Sequence, residues 1–255
     1  MESAPVDFSL EVEPGATRLL VVFNSQQKFN GALRLFTWQR MARSARAHRL
    51  YISDPVLYAS ERATIGWYAA TSDLSFEPII ARLVDGVAAR LGAESIIYVG
   101  SSGGAYPAIL HAQGAGDRMA LSLAPSLTIR GFHQKLRLDL WLKECNGVET
   151  VAEVESQHPE LTVDLGERFA GRPVLNSVAI LQGAQDEAFL AHSIGPFLRR
   201  LDYSFDVGTP VAHRGVNVRW GRWGEGHQPP PEEEILGAIE AINAWEGPLA
   251  EFRFS

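Results

Sequence analysis

Short runs of consecutive apolar residues recur along this 255-residue chain and alternate with segments of helical spacing. A run such as Arg18–Asn24 (RLLVVFN) has no polar face, which is typical of a parallel strand that helices cover on both sides. The alternation predicts an α/β fold with a doubly wound, mostly parallel sheet, whose ligand site lies beyond the carboxyl ends of the strands. The other predicted strands are His48–Ser53, Ser95–Gly100, Met119–Leu123, Ser177–Gly183 and Val216–Trp220, with an edge strand at Phe8–Val12 and long helices at Ala32–Ala47, Leu74–Leu91 and Pro231–Trp245.

One segment interrupts this alternation. Residues 128–173 are too many for a simple connection between two strands, and they contain helix-like pieces at Phe132–Cys145 and Val148–Gln157. We interpret the segment as a small helical cap, or lid, inserted into a single domain that spans residues 1–255. A surface excursion is the alternative interpretation.

Charge and composition exclude several classes of partner. The 23 Lys and Arg are outnumbered by 30 Asp and Glu, and a formal net charge of -7 gives no attraction to phosphate backbones, so we expect no nucleic-acid partner. Cys145 is the only cysteine, which rules out an intrachain disulfide, and the first residues lack the pattern of a secretory signal, so we expect a cytoplasmic location. No apolar run approaches the roughly 18 residues that span a bilayer, and no metal-binding, Walker A or dinucleotide motif occurs. We therefore expect no membrane span, no metal and no cofactor.

A nucleophile motif follows the predicted strand at Ser95–Gly100. In the sequence IIYVGSSGGAYPAIL, Gly100, Ser102 and Gly104 form G-x-S-x-G between that strand and a predicted helix at Gly103–Ala112. Small residues are needed there because the serine occupies a tight, strained turn. Ser102 is therefore the candidate nucleophile, and the Gly103 amide is a candidate donor to an oxyanion.

A serine hydroxyl needs an imidazole to accept its proton and a carboxylate to orient that imidazole. Asp186 follows the predicted strand Ser177–Gly183 closely, with Glu187 as the neighbouring alternative; a loop aspartate that caps the next helix is the other interpretation. His227 lies in a Gly- and Pro-rich loop between the last predicted strand and the last helix. The three residues thus follow three different strands, where a shared site is expected.

The order Ser102, Asp186, His227 resembles that of the α/β-hydrolase superfamily, in which the nucleophile comes first along the chain, then the acid, then the histidine. The resemblance extends from about Arg18 to Trp245, and the 128–173 segment falls where that superfamily often carries its cap. It implies an esterase-like serine hydrolase that works through an acyl-enzyme.

The turn after the first long strand departs from the commoner esterase pattern. It reads Asn24, Ser25, Gln26 and lacks the His-Gly sequence often found in those esterases. By position, the amide of Ser25 or Gln26 is the second oxyanion donor. The Asn24 side chain supports that turn at the substrate site or forms an ordinary Asx turn.

Large aromatic residues are the candidates for lining a substrate pocket, with core packing as the alternative for each. They are Trp67, Tyr68, Trp141 and Trp223. The leading hypothesis is hydrolysis of a small-molecule carboxylic ester. Acyl transfer, thioester or amide cleavage on the same residues, and non-catalytic binding of a small ligand are the alternatives, and the oligomeric state stays open.

Overall fold

The computed structural model describes residues 5–27, 36–171 and 174–254. Within them, eight strands form one sheet in the order β1-β3-β2-β4-β5-β6-β8-β7. The six inner strands run parallel, and β1 and β7 pair antiparallel at the two edges. The strands are β1 (Phe8–Glu11), β2 (Arg18–Phe23), β3 (His48–Ile52), β4 (Ser95–Ser101), β5 (Asp117–Leu123), β6 (Ser177–Gly183), β7 (Val211–His213) and β8 (Val216–Gly221).

Helices cover both faces of this sheet. They are α1 (Gln39–Ala42), α2 (Glu77–Leu91), α3 (Ala105–Ala112), α4 (Lys135–Leu140), α5 (Val151–Gln157), α6 (Leu165–Phe169), α7 (Glu187–Phe189), α8 (Gly195–Arg200) and α9 (Glu232–Ala244). Short 3-10 turns lie at Pro55–Tyr58, Ser102–Gly104 and Leu249–Glu251, and π-helical segments at Trp141–Cys145 and Leu190–Ile194.

The continuous apolar strands divide their side chains between two cores. In β2, Leu19 and Val21 pack with the apolar faces of α2 and α3, whereas Leu20 and Val22 pack on the opposite face with α9. All four side chains are at most 2% exposed. Burial of one such side chain stabilises the fold by about 1.5–3 kcal/mol, so the sheet and both helical layers form together.

Most of the predicted strands and helices are present within one or two residues of the expected bounds, and the doubly wound α/β architecture is confirmed. The long helix predicted at Ala32–Ala47 is absent from the described part of this stretch. Residues 32–35 lie outside the described part, and residues 36–47 contain only the four-residue α1. Three aromatic or apolar residues in this stretch, Phe36, Trp38 and Met41, instead pack irregularly against the α9 core.

Residues 128–171 contain α4, a π-helical segment, α5 and α6, so the segment is helical as expected. It packs closely on the domain: the ring nitrogen of Trp141 donates to the Ala70 carbonyl at 3.1 Å, and Trp141 is fully buried. The first residue of α5 is preceded by Thr150, whose hydroxyl accepts from the Glu153 amide in a capping box. The segment is therefore helical and packed against the rest of the chain, and residues 172 and 173 at its end lie outside the described part.

Candidate active site

Ser102 lies on a strained turn between β4 and α3. Its backbone φ is +50°, a left-handed conformation that costs a non-glycine residue energy. The turn is so tight that a Cβ on Gly100 would lie 2.0 Å from the Gly104 carbonyl oxygen, and a Cβ on Gly104 would lie 2.4 Å from the Asn24 carbonyl oxygen. Both glycines are therefore sterically required, as the G-x-S-x-G motif predicts.

Three loops at the carboxyl ends of β4, β6 and β8 bring the candidate residues together. His227 Nε2 lies 3.0 Å from Ser102 Oγ, and His227 Nδ1 lies 2.7 Å from Asp186 Oδ2. Asp186 is 1% exposed, and the His227 side chain keeps 29% of its surface exposed. The imidazole thus joins a buried carboxylate to the hydroxyl of a half-buried serine.

The contacts fix the proton positions of a neutral His227. Because the carboxylate only accepts hydrogen bonds, Nδ1 carries the proton and donates to Asp186, which leaves Nε2 as an acceptor for the Ser102 hydroxyl. This is the tautomer in which an imidazole removes a proton from serine.

Asp186 also caps the helix that follows it. Its Oδ1 accepts from the Phe189 amide at 3.2 Å at the start of α7, while Oδ2 is bonded to His227. The two interpretations of Asp186 are therefore compatible, because each uses a different oxygen. Glu187, the alternative acid, is exposed and begins α7 instead of facing His227.

The His227 loop is tied to the Asp186 loop through the backbone. The Gly226 amide donates to the Gln185 carbonyl at 3.2 Å, and Gly226 has a φ of +73°, which glycine adopts without strain. Trp223, one of the predicted aromatic residues, is half-buried, and its ring covers Gly221 at the end of β8 so closely that a Cβ there would lie 2.0 Å away.

The turn after β2 approaches the other side of Ser102. The amides of Ser25 and Gln26 donate to no acceptor among the described residues. Asn24 is 2% exposed, and its Oδ1 accepts from the amide and the hydroxyl of Thr37 at 2.8 and 2.7 Å. Asn24 Oδ1 therefore ties the end of β2 to Thr37 and does not accept from the Gln26 amide, as it would in an Asx turn.

Three predicted pocket residues lie in the core. Trp67, Tyr68 and Trp141 are at most 3% exposed. Their burial favours the alternative interpretation, in which these side chains pack in the core and do not contact substrate. Trp67 and Trp141 meet edge to face at 5.7 Å, and the Trp67 ring nitrogen donates to Ser126 Oγ at 3.2 Å. Since the Ser126 amide donates to the Ser102 carbonyl at 3.0 Å, Trp67 supports the turn at Ser102 through Ser126.

No protein-family model and no curated protein sequence matches this chain. Solved structures do match it. A chain of the Glycosylation Associate Protein (Gap123) complex from Streptococcus agalactiae is 15% identical with a TM-score of 0.66; the match covers 96% of this chain but only 46% of that one. The capsule O-acetyltransferase of Neisseria meningitidis serogroup A is 13% identical over 95% of this chain and 92% of its own, with a TM-score of 0.64. An acetyl xylan esterase from Paenibacillus sp. R4 is 16% identical over 94% and 80%, with a TM-score of 0.58.

These similarities, at 13–16% identity, show the fold alone. The chain has the α/β-hydrolase fold. Among the described residues of this α/β-hydrolase fold, no helix is both long and apolar enough to cross a bilayer, and no three His, Cys, Asp or Glu side chains are grouped so as to hold a metal ion.

The α/β-hydrolase fold brings two further side chains to the site that the sequence did not indicate. The ring of Phe189 stacks on His227, and the ring of His133 meets Phe189 edge to face at 5.2 Å. His133 also stacks on His192 at 5.5 Å. Burial, and to a smaller extent the charge of His192, lowers the pKa of His133 from its ordinary value, so His133 is neutral near pH 7.

Proposed function

We propose that the protein cleaves a carboxylic ester through an acyl-enzyme formed on Ser102. The observation that carries this proposal is the double hydrogen bonding of His227, at 3.0 Å to Ser102 Oγ and at 2.7 Å to Asp186 Oδ2. An acetyl xylan esterase and an O-acetyltransferase among the similar structures add support, because both act on acyl groups by their printed names.

In the proposed reaction, Ser102 Oγ attacks the ester carbonyl carbon as His227 Nε2 takes the hydroxyl proton. The carbonyl oxygen becomes an oxyanion, and its collapse breaks the bond to the alcohol oxygen, which leaves with the proton from His227. Water then repeats the sequence: His227 removes its proton, the hydroxide oxygen adds to the acyl carbon, and Ser102 Oγ is expelled and reprotonated. Asp186 stays ionised throughout and stabilises the imidazolium that forms twice.

The oxyanion is held by backbone amides in this proposal. Gly103 follows the nucleophile directly, and its amide is the first donor. Ser25 and Gln26 follow β2, the strand that pairs with β4, and their amides have no acceptor among the described residues. One of these two is the second donor.

We also propose that residues 128–171 form the cap of the site. Two contacts support this: the Arg137 side chain of α4 donates to the Gln26 side chain beside the proposed oxyanion donors, and His133 packs on Phe189. A small-molecule acyl ester bound at Ser102 then lies beneath the start of α4. A single domain, a cytoplasmic location and the lack of a nucleic-acid partner remain sequence-based proposals.

Acyl transfer is the second candidate, and the match to an O-acetyltransferase over 95% of the chain favours it. The first half of the reaction is the same, and only the acceptor of the acyl group differs. Product analysis with an added alcohol as acceptor separates the two. Transfer predicts an acylated alcohol in place of the free acid.

Labelling with a fluorophosphonate tests the shared chemistry. We expect one equivalent of label on Ser102 and none in Ser102→Ala. The matched control is Ser101→Ala, which removes a buried hydroxyl from the last residue of β4 and leaves the nucleophile in place; it should label normally. A wild-type protein that neither labels nor cleaves para-nitrophenyl acetate contradicts the proposal and indicates a non-catalytic binding protein.

A further inference from the structure

Arg137 lies at the rim of the candidate site without a carboxylate partner among the described residues. Its Nη1 donates to the neutral Oε1 of Gln26, and Gln26 in turn donates from Nε2 to Thr64 Oγ1 at 3.1 Å. The residue after Thr64 is Ile65, whose Cδ1 would lie 2.4 Å from a Cβ on Gly103. Two hydrogen bonds thus connect Arg137 through Gln26 to Thr64, and the next residue, Ile65, packs on Gly103 beside Ser102.

The other arginines near this excursion are neutralised. Arg130 pairs with Glu155 and Glu167 at 2.5 and 2.6 Å, and Arg200 pairs with Asp164 at 2.6 Å. Arg137 has no such ion pair in the described chain, and residues 28–35, whose placement is not described, contain no Asp or Glu that could supply one. Arg137 therefore differs from Arg130 and Arg200 in having no carboxylate partner among the described residues.

The Arg137 guanidinium is also partly removed from water. It is half-buried, and burial lowers its pKa from the ordinary value, with no carboxylate opposing the shift. A guanidinium has five N–H donors, and Gln26 occupies one of them. The remaining donors, in a fork that matches carboxylate or phosphate oxygens, are free to bind a ligand.

The same rim contains two imidazoles, each of which has a ring N–H that can donate to an anion. His133, which precedes α4, lies within electrostatic range of Arg137 and of the His227–Asp186 pair, since their charges all affect its pKa after the larger effect of burial. His192 stacks on His133 and is exposed. In a chain of net charge -7, a half-buried cation with no ion pair among the described residues thus lies beside two imidazoles at the candidate site.

We propose that Arg137 binds an anionic group of the substrate, a carboxylate or a phosphate, and so selects charged acyl esters over neutral ones. This inference rests on the proposed function, because it assigns the substrate class of the same site. The anion lies between Arg137 and the exposed edge of His133, and its ester carbonyl reaches Ser102.

Paired esters test the selectivity. Para-nitrophenyl hydrogen succinate is compared with its neutral methyl ester, and para-acetoxyphenyl phosphate with para-methoxyphenyl acetate. The first pair tests a carboxylate on the acyl part of the ester, and the second tests a phosphate on the alcohol part. We expect wild-type kcat/KM to favour the charged member of at least one pair, and the preference to fall about tenfold in Arg137→Gln, since a hydrogen bond to a charged group is lost. Arg137→Lys should keep part of the preference, because it keeps a point charge without the planar fork.

Lys135→Gln is the matched control. It removes one positive charge from the exposed side of the same helix, so its preference should equal that of the wild type. An equal preference in wild type and Arg137→Gln, or no preference in the wild type, overturns the inference while leaving the ester chemistry intact.

Binding by titration calorimetry separates the two proposals. Inorganic phosphate and succinate are titrated into Ser102→Ala, with and without Arg137→Gln. Binding to Ser102→Ala that depends on Arg137, together with a wild-type protein that cleaves no ester, would retain the anion site and reject the hydrolase proposal. Ester cleavage by the wild type without Arg137-dependent binding or selectivity would do the reverse.

Discussion

Phe189 lies flat against His227, with ring centroids 3.6 Å apart and planes 10° from parallel. Phe189 is 1% exposed and is fixed in α7, whose first turn is capped by Asp186. One short helix therefore presents both the carboxylate that bonds to the imidazole and the ring that restricts its rotation. We assign Phe189 as a positioning residue, which acts on substrate only through His227.

Phe189→Leu should lower kcat about tenfold and change KM less, because the aromatic contact is worth about 0.5–1.5 kcal/mol beyond its buried area. The measurement is steady-state hydrolysis of para-nitrophenyl acetate together with urea unfolding. Phe197→Leu is the control: Phe197 is 2% exposed, lies in α8 and contacts Phe169 instead of His227. If both variants lose kcat in proportion to stability, Phe189 has only a packing role.

The two oxygens of Asp186 can be separated by substitution. Asp186→Asn and Asp186→Ala should both lower kcat by roughly 10³–10⁴, since neither holds His227 in the reactive tautomer. Their stabilities should differ by about 1 kcal/mol, because asparagine still accepts from the Phe189 amide and alanine leaves the helix uncapped. Equal free energies of unfolding in urea would show that the Phe189 contact contributes nothing to the cap.

The fold and the central residues of the site were predictable because their signals are local. A strand buried on both faces, such as Ser177–Gly183, has a continuous apolar sequence, and the turn at Ser102 needs glycines on either side in the sequence itself. The strand β7, by contrast, is three residues long, too short for any periodicity to show. Its position depends on pairing with β8.

The side chains around the central residues were not predictable, because tertiary packing decides their roles. The sequence around Trp67 and Trp141 is compatible with pocket residues as well as with core residues. Only the three-dimensional structure shows that both are buried and contact each other. Phe189 lies in α7, Arg137 in α4 and His133 in the turn that precedes α4. Nothing in their local sequence indicates that they lie near His227 or Gln26.

The close approach of Gly104 to the turn after β2 predicts a sharp contrast between two glycines. Gly104→Ala should destabilise the protein by about 3 kcal/mol and abolish labelling of Ser102, because the Cβ meets the backbone carbonyls of Asn24 and Phe23, which cannot move aside. Gly86→Ala, in the middle of α2 with nothing within 4 Å, should stabilise the protein by about 1 kcal/mol. Urea unfolding measures both; a tolerated Gly104→Ala would mean that the turn relaxes without loss.

His111, remote from the proposed reaction, should govern part of the acid stability. It is 7% exposed in α3 and stacks near Phe23 and Tyr98, and burial, followed by the positive charge of Arg118, lowers its pKa to about 4. An unfolded histidine has a pKa near 6.5, so between these values the unfolded chain binds a proton that the folded chain refuses. The stabilisation is complete above about pH 6.5 and is lost as the pH falls towards 4, by up to about 1.4 kcal/mol per pH unit.

His111→Leu should remove this dependence, because leucine fills a similar apolar space and binds no proton. Free energies of unfolding in urea at about pH 7 and about pH 5 measure the slope for both proteins. We expect the wild type to lose more stability than the variant over this interval, whatever their difference at pH 7. Parallel losses would mean that His111 accepts its proton in the folded state as readily as in the unfolded chain, and that other groups account for the acid sensitivity.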